Sequence, residues 1–276
     1  MTGKTNQTGK NKAGKTTKYI FRSVKWVFIF AMIFGFLLGG VAIGYVSALV
    51  QDEPIRSEEE IKAKINENAL TGFAYFNDDT LIGQLRGEDR RLATMDEIPQ
   101  HVKDAFLAIE DDDFYSHIGI DIMSLLRAVK QTIFNEEVQT GGSTLTQQLA
   151  RNVFLSLDKT YSRKAKEIFL ALRLERYLSK DEIFLAYMNK VPFGTGANGY
   201  TVHGIKAAAH GIFGVEDLSQ LNIAQAAYLA GLPQAPSLYS AFDSQGFDEE
   251  GFERAVKRQR LVLERMLEEN KITPEQ

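Results

Sequence analysis

From Trp26 to Val50 the chain runs 25 residues without a charged side chain. A helix needs about 20 apolar residues to cross the hydrocarbon core of a bilayer, and in lipid only a helix or a closed barrel satisfies its own backbone. The stretch therefore predicts one transmembrane helix. Lys4, Lys10, Lys12, Lys15, Lys18, Arg22 and Lys25 precede it with no acid among them, and Asp52, Glu53 and Glu58 to Glu60 follow. That asymmetry predicts a cytoplasmic N-terminus, with everything after Val50 outside. A cleaved signal peptide is the alternative, since Val46-Ser47-Ala48 has the small residues of a cleavage site. Such peptides carry an apolar region of about 7–15 residues, much shorter than this one, so an uncleaved anchor is favoured. Gly35 and Gly39, and Gly40 and Gly44, have the spacing that lets membrane helices pack closely, but glycine is common in such helices anyway.

The net charge of −4 conceals a division, because residues 26–276 hold 25 basic against 36 acidic side chains. A body of that sign is a poor general partner for nucleic acid, and any anionic ligand must meet a local basic cluster. There is no cysteine, which excludes disulfides and thiolate metal sites. The four histidines (His101, His117, His203, His210) form no metal-ligand spacing and read as packing or hydrogen-bonding residues. Gly9 to Thr16 fits the nucleotide-binding P-loop letter for letter. That loop works only between a buried strand and a helix, and here polar residues precede it, so it reads as a solvated basic tail.

These features divide the chain into a cytoplasmic tail (1–25), the anchor (26–50), a charged stalk (51–70), one domain (71–270) and a short end or linker start (271–276). With 44% apolar residues the domain can bury a full core. Ala74 to Phe76 and Leu81 to Leu85, around the polar Asn77 to Thr80, predict a small hairpin. Beyond it, apolar residues recur every three or four positions near 101–110, 120–134, 143–155, 161–178, 180–189, 203–212, 221–231 and 251–269. The fold class predicted is mainly α.

Two segments carry the chemistry. Glu110-Asp111-Asp112-Asp113-Phe114-Tyr115-Ser116-His117 sets four carboxylates in a row, and like charges oppose further ionisation, so one of them is a candidate proton acceptor. Gly141 to Asn152 places a Gly-Gly turn before a helix, with Ser143 where an N-cap would stand. On a helical wheel Leu145, Leu149 and Val153 form one stripe, and Thr144, Gln147, Gln148 and Arg151 lie opposite. Amides, hydroxyls and an arginine suit sugar hydroxyls and a phosphate, although an ordinary amphipathic helix has the same pattern. Glu167 follows Arg163 by four residues and Lys164 by three, so the three share a face with Leu170 and Leu174. A surface ion-pair cluster is the plain reading. The other side of that helix is also apolar, which points to burial and to charges paired for a reason.

In order and spacing these segments resemble the motifs of the family 51 glycosyltransferases. Glu110–Gly119 and Gly141–Asn152 resemble the first two, and Arg163-Lys164-x-x-Glu167 the third. Lys180–Asn189 with Phe193-Gly194-x-Gly196-x-x-Gly199 resembles the fourth, and Arg258-x-x-x-Val262-Leu263-x-x-Met266 the fifth. Arg151 stands where many members have lysine, and Ala186 where many have glutamate. The resemblance implies a lysozyme-like α-helical domain with a small membrane-proximal lobe, acting on lipid II and a growing glycan strand at the outer face of the cytoplasmic membrane. It implies Glu110 as general base on the acceptor hydroxyl, with inversion at the donor carbon and loss of undecaprenyl pyrophosphate. Glu167 is the second catalytic residue by this analogy. Ser143, Thr144, Gln148, Arg151, Asn152, Arg163 and Lys164 would bind substrate. The resemblance fixes no cofactor; a divalent cation (Mg or Mn) at the pyrophosphate is compatible with it, and other cell-wall synthesis proteins are candidate partners. Competing classes are a lysozyme-like cleaving enzyme, a nucleotide-sugar transferase using Asp111 to Asp113, and a silent anchored binding module. Ser156-x-x-Lys159 has the nucleophile spacing of a transpeptidase, without its companion motifs. By the resemblance, the chain is either a monofunctional polymerase or the front part of a bifunctional one.

Overall fold

The computed structural model describes residues 10–67, 72–78, 80–84, 88–123, 142–156 and 160–276. The chain forms two compact units that divide between Glu53 and Pro54. The first holds α1 (Lys10–Val50), in which Val24–Val50 is long and apolar enough to cross a membrane, with mean hydropathy 2.5. The helical backbone begins at Lys10, so the P-loop-like stretch from there to Thr16 is helix and not a phosphate loop.

The second unit opens with α2 (Glu58–Asn66), started by a capping box in which Ser57 and Glu60 satisfy each other's backbone N–H groups. Within the segment expected as a charged stalk entering the domain, α2 buries Ile61 and Ile65 in the core. Two apolar side chains four apart make one stripe, enough to dock a nine-residue helix whose other faces are charged. The expected hairpin is present as β1 (Phe73–Tyr75) paired antiparallel to β2 (Leu81–Gln84). A three-stranded sheet was not expected. In it β5 (Thr201–His203) lies between β3 (Glu88–Arg90), parallel to it, and β4 (Pro192–Thr195), antiparallel.

The remaining helices are α3 (Gln100–Glu110), α4 (Leu145–Phe154), α5 (Tyr161–Tyr177), α6 (Lys180–Lys190), α7 (Ile205–Phe213), α8 (Ile223–Gly231) and α9 (Glu249–Glu268). A two-residue pair, β6 (Phe242–Asp243) and β7 (Gly246–Phe247), precedes α9. Mainly α is the class observed. Part of the segment expected as helix over 120–134 falls outside the described residues.

Two helix groups make the body. In one, α3 packs against α8 and α9, and in the other α4 packs against α5 and α6. They meet through the aromatic contacts of Phe106 on α3 with Tyr187 on α6 and Phe193 on β4, ring centroids 6.4 and 6.0 Å apart. Asn189, at the end of α6, pins the chain near β3: its side-chain amide exchanges hydrogen bonds with the backbone N–H and carbonyl of Ala93, at 2.8 and 2.9 Å. The candidate site lies at the junction of the two groups.

Candidate active site

Glu110 is the last residue of α3. A carboxylate there faces the negative end of the helix dipole. Its Oε2 accepts a 2.6 Å hydrogen bond from Gln148 Nε2 on α4, while Oε1 is shut off from solvent with no hydrogen-bond partner. Burial, which disfavours the charged form, raises the Glu110 pKa above the usual carboxylate value. The Gln148 hydrogen bond and the charges of Arg258 and Arg151 oppose the rise, and Asp111 adds to it.

Asp111 has a different task. Its Oδ2 accepts the backbone N–H of Leu145 at 2.8 Å, and both oxygens lie 2.9–3.0 Å from His117 Nε2. His117 Nδ1 accepts the Gly119 N–H at 3.0 Å, so the imidazole hydrogen sits on Nε2 and is donated to Asp111. Gly119 takes φ +92°, a backbone setting that favours glycine, and its carbonyl accepts the Thr144 hydroxyl at 2.7 Å. These bonds tie the chain after α3 to the first turn of α4. Asp112 and Asp113 are exposed, and Asp112 reaches Arg265 at 3.6 Å. The acidic run is thus divided, with Asp111 buried and bonded to Leu145 and His117 while Asp112 and Asp113 face solvent. Among the described residues no cluster of three or more His, Asp or Glu is placed to hold a metal ion.

The N-cap of α4 is Thr144, not Ser143 as expected from sequence. Thr144 and Gln147 form a capping box, so a threonine and a glutamine expected on the substrate face are buried and serve the helix start. Ser143 Oγ instead accepts from Lys164 Nζ at 2.6 Å. Gln148, also buried, holds Glu110.

Glu167 is 1% exposed and binds both cations of its motif: Arg163 Nη1 to Oε2 at 3.2 Å and Lys164 Nζ to Oε1 at 2.5 Å. A carboxylate buried to this degree is tolerated when it is paired, and both Glu167 oxygens are. Lys164 also lies 3.5 Å from Gln147 Oε1, and the Nε of Arg163 is buried without a partner. Ser143, Lys164, Glu167 and Arg163 are therefore one network at the start of α4. Arg151 and Asn152 stand about two turns further along, joined weakly at 3.5 Å, and share no described hydrogen bond or ion pair with Arg163 or Lys164. Both line a cavity of about 540 Å³ with Lys64, Glu67, Arg90, Lys190, Pro192 and His203. Burial, assisted by the nearby Arg90, lowers Lys190 to about 8. The expected cationic cluster is thus two groups on two helices, Arg151 on α4 and Arg163 with Lys164 on α5.

Arg258, which opens the fifth motif and to which the sequence assigns no role, lies on α9. Its charge acts on Glu110, and its Nε is buried without a partner. Gly231 makes room for it, since a Cβ there would come within 2.9 Å of Arg258 Cγ.

A transglycosylase profile matches residues 78–267. The chain belongs to the transglycosylase family. It is 44% identical to penicillin-binding protein 1A of Escherichia coli (strain K12) over 203 residues, 73% of this chain and 22% of that protein. It is 35% identical to penicillin-binding protein 1A of Clostridium perfringens (strain 13 / Type A) over 277 residues, covering 99% of this chain and 39% of the other. The chain thus spans between about a fifth and two fifths of the length of these relatives. The crystal structure of penicillin-binding protein 1A from Haemophilus influenzae is similar at 22% identity and a TM-score of 0.40, over 76% of this chain and 20% of that one.

Proposed function

We propose that this chain is a membrane-anchored peptidoglycan glycosyltransferase that polymerises lipid II. The observation that carries the proposal is the half-buried Glu110 carboxyl, held on one oxygen by Gln148, shut off from solvent and unmet on the other, and acted on by the charges of Arg151 and Arg258. A carboxyl whose pKa is raised toward neutrality holds an accepted proton well, which is what general-base chemistry asks of it. In this reading Glu110 removes the proton from the acceptor sugar's hydroxyl as that oxygen attacks the donor anomeric carbon. The bond to the lipid pyrophosphate breaks, the anomeric configuration inverts, and undecaprenyl pyrophosphate departs.

Of the two carboxyls in the site, Glu110 suits the proton and Glu167 does not. Glu167 is neutralised by two cations at hydrogen-bond distance, so its work is to hold Arg163 and Lys164 in place. Those cations, with Arg151, offset the charge that grows on the leaving pyrophosphate. A glycoside-cleaving enzyme has no need of such a basic environment. The family membership supports the same choice.

The deciding experiment is product analysis on lipid II with the full chain and two variants. Glu110→Gln keeps size and the Gln148 contact but takes no proton, so polymer formation falls by at least about 10²–10⁴-fold while lipid II binding persists. Asp113→Asn, at an exposed position, keeps most activity. Shortened glycan in place of polymer would move the protein to the cleaving class, and a Glu110→Gln variant at full rate would remove Glu110 from the chemistry.

A further inference from the structure

Tyr187 lies on α6 and is completely buried. Its ring meets Phe106 edge-on at an interplanar angle of 75°. Phe106 precedes Glu110 by four residues, so the two share one face of α3 and a side chain packed on the first lies alongside the second. The Tyr187 hydroxyl is buried with no hydrogen-bond partner, and so is Glu110 Oε1. Unmet buried polar atoms are rare and costly, and these two are complementary, one with a hydrogen to give and the other with lone pairs to receive it. Burial, and then the neighbouring Glu110 charge, push the Tyr187 phenol well above its ordinary value of 10, so it stays protonated and remains a donor.

We propose that Tyr187 is a positioning residue for the general base, its hydroxyl donating to Glu110 Oε1 in the working enzyme. This rests on the reading of Glu110 as that base. With Oε1 held by Tyr187 and Oε2 by Gln148, the carboxylate cannot rotate. Each oxygen accepts two hydrogen bonds, so a lone pair stays open to the acceptor hydroxyl, whose proton moves onto the carboxyl as the sugar oxygen attacks. The groups that set the basicity of Glu110 are then Asp111 beside it, Gln148 and Arg151 on α4, Tyr187 on α6 and Arg258 on α9.

The test compares lipid II turnover across pH for the full chain, Tyr187→Phe and Glu110→Gln. Tyr187→Phe removes one oxygen and leaves the ring contact with Phe106. It should lower kcat about tenfold with KM little changed, and move the acidic limb of the kcat profile upward, because a donor to the ionised form is gone. Replacing Tyr187 with 3-fluorotyrosine, a stronger donor of nearly the same shape, should move that limb downward. A wild-type limb in both variants overturns the proposal, as does a kcat loss in Tyr187→Phe that only parallels a fall in Tm. An active Glu110→Gln, or a parent chain that makes no polymer, overturns the reading of the base itself, so the two failures are distinguishable.

Discussion

At Glu110 the helix end, the burial and the unmet Oε1 all disfavour the ionised carboxyl, and the raised pKa has a sign that can be followed into stability. The folded protein binds that proton more tightly than the unfolded chain does. Glu110 therefore adds stability below its unfolded pKa, and the contribution fades as pH rises through the higher folded value. Glu110→Gln, which cannot ionise, should match the parent's Tm near pH 4 and exceed it near pH 8, by about 2–4 °C for each kcal/mol recovered. A thermal scan at both pH values checks this independently of any substrate. Glu167 contributes through its two ion pairs. Truncating it to Ala leaves Arg163 and Lys164 without their shared counter-charge, a loss of about 3 kcal/mol, at the lower end for buried pairs because Lys164 keeps a third of its side-chain surface in water. The denaturation midpoint should fall at an unchanged m-value. At this scale the sequence was partly informative. The Arg163–Glu167 spacing predicts the ion pairs that form, and the acidic run holds the carboxyl whose pKa is raised. Nothing local distinguishes Asp111, which caps a helix 34 residues onward, from its solvated neighbours. The Gln148–Glu110 bond and the charge of Arg258 are likewise non-local, and periodicity carries no record of either.

Among the elements, the helices were the legible part, because a 3.6-residue apolar period survives in sequence wherever one face meets a core. α2 escaped, having only Ile61 and Ile65 to show among charged neighbours. The sheet escaped too. Its strands are three or four residues long, and β3 pairs with β5 across more than a hundred residues, so neither length nor proximity signals it. The start of α4 was misplaced by one residue, although Thr144-x-x-Gln147 carries the capping-box spacing that marks it. That correction makes a prediction. Thr144→Ala removes the cap and the hydroxyl bond to Gly119, and should cost about 1–2 kcal/mol, lowering Tm by about 2–8 °C. Ser143→Ala, which takes away only an acceptor for Lys164, should shift Tm far less. Differential scanning calorimetry of the two variants separates cap from substrate contact.

The whole molecule is an apolar helix followed by a body with its own core. Seven basic residues before Trp26 and acidic residues after Val50 give the orientation expected. Protease added outside intact spheroplasts should digest residues 71–270 and spare the N-terminal tail, as detected with antibodies to each end. Protection of the body would remove the substrate assignment along with the topology, since the lipid-linked donor must be met on that side. The body itself joins two helix groups, and Glu110, the base in the reaction proposed above, belongs to one while the amide that holds it belongs to the other. Competence is therefore a conjunction. A chain with either group still unformed, during synthesis or after a local opening, has a glutamate but no aligned base. Misfolded copies in the membrane would be chemically silent, without any inhibitor to restrain them.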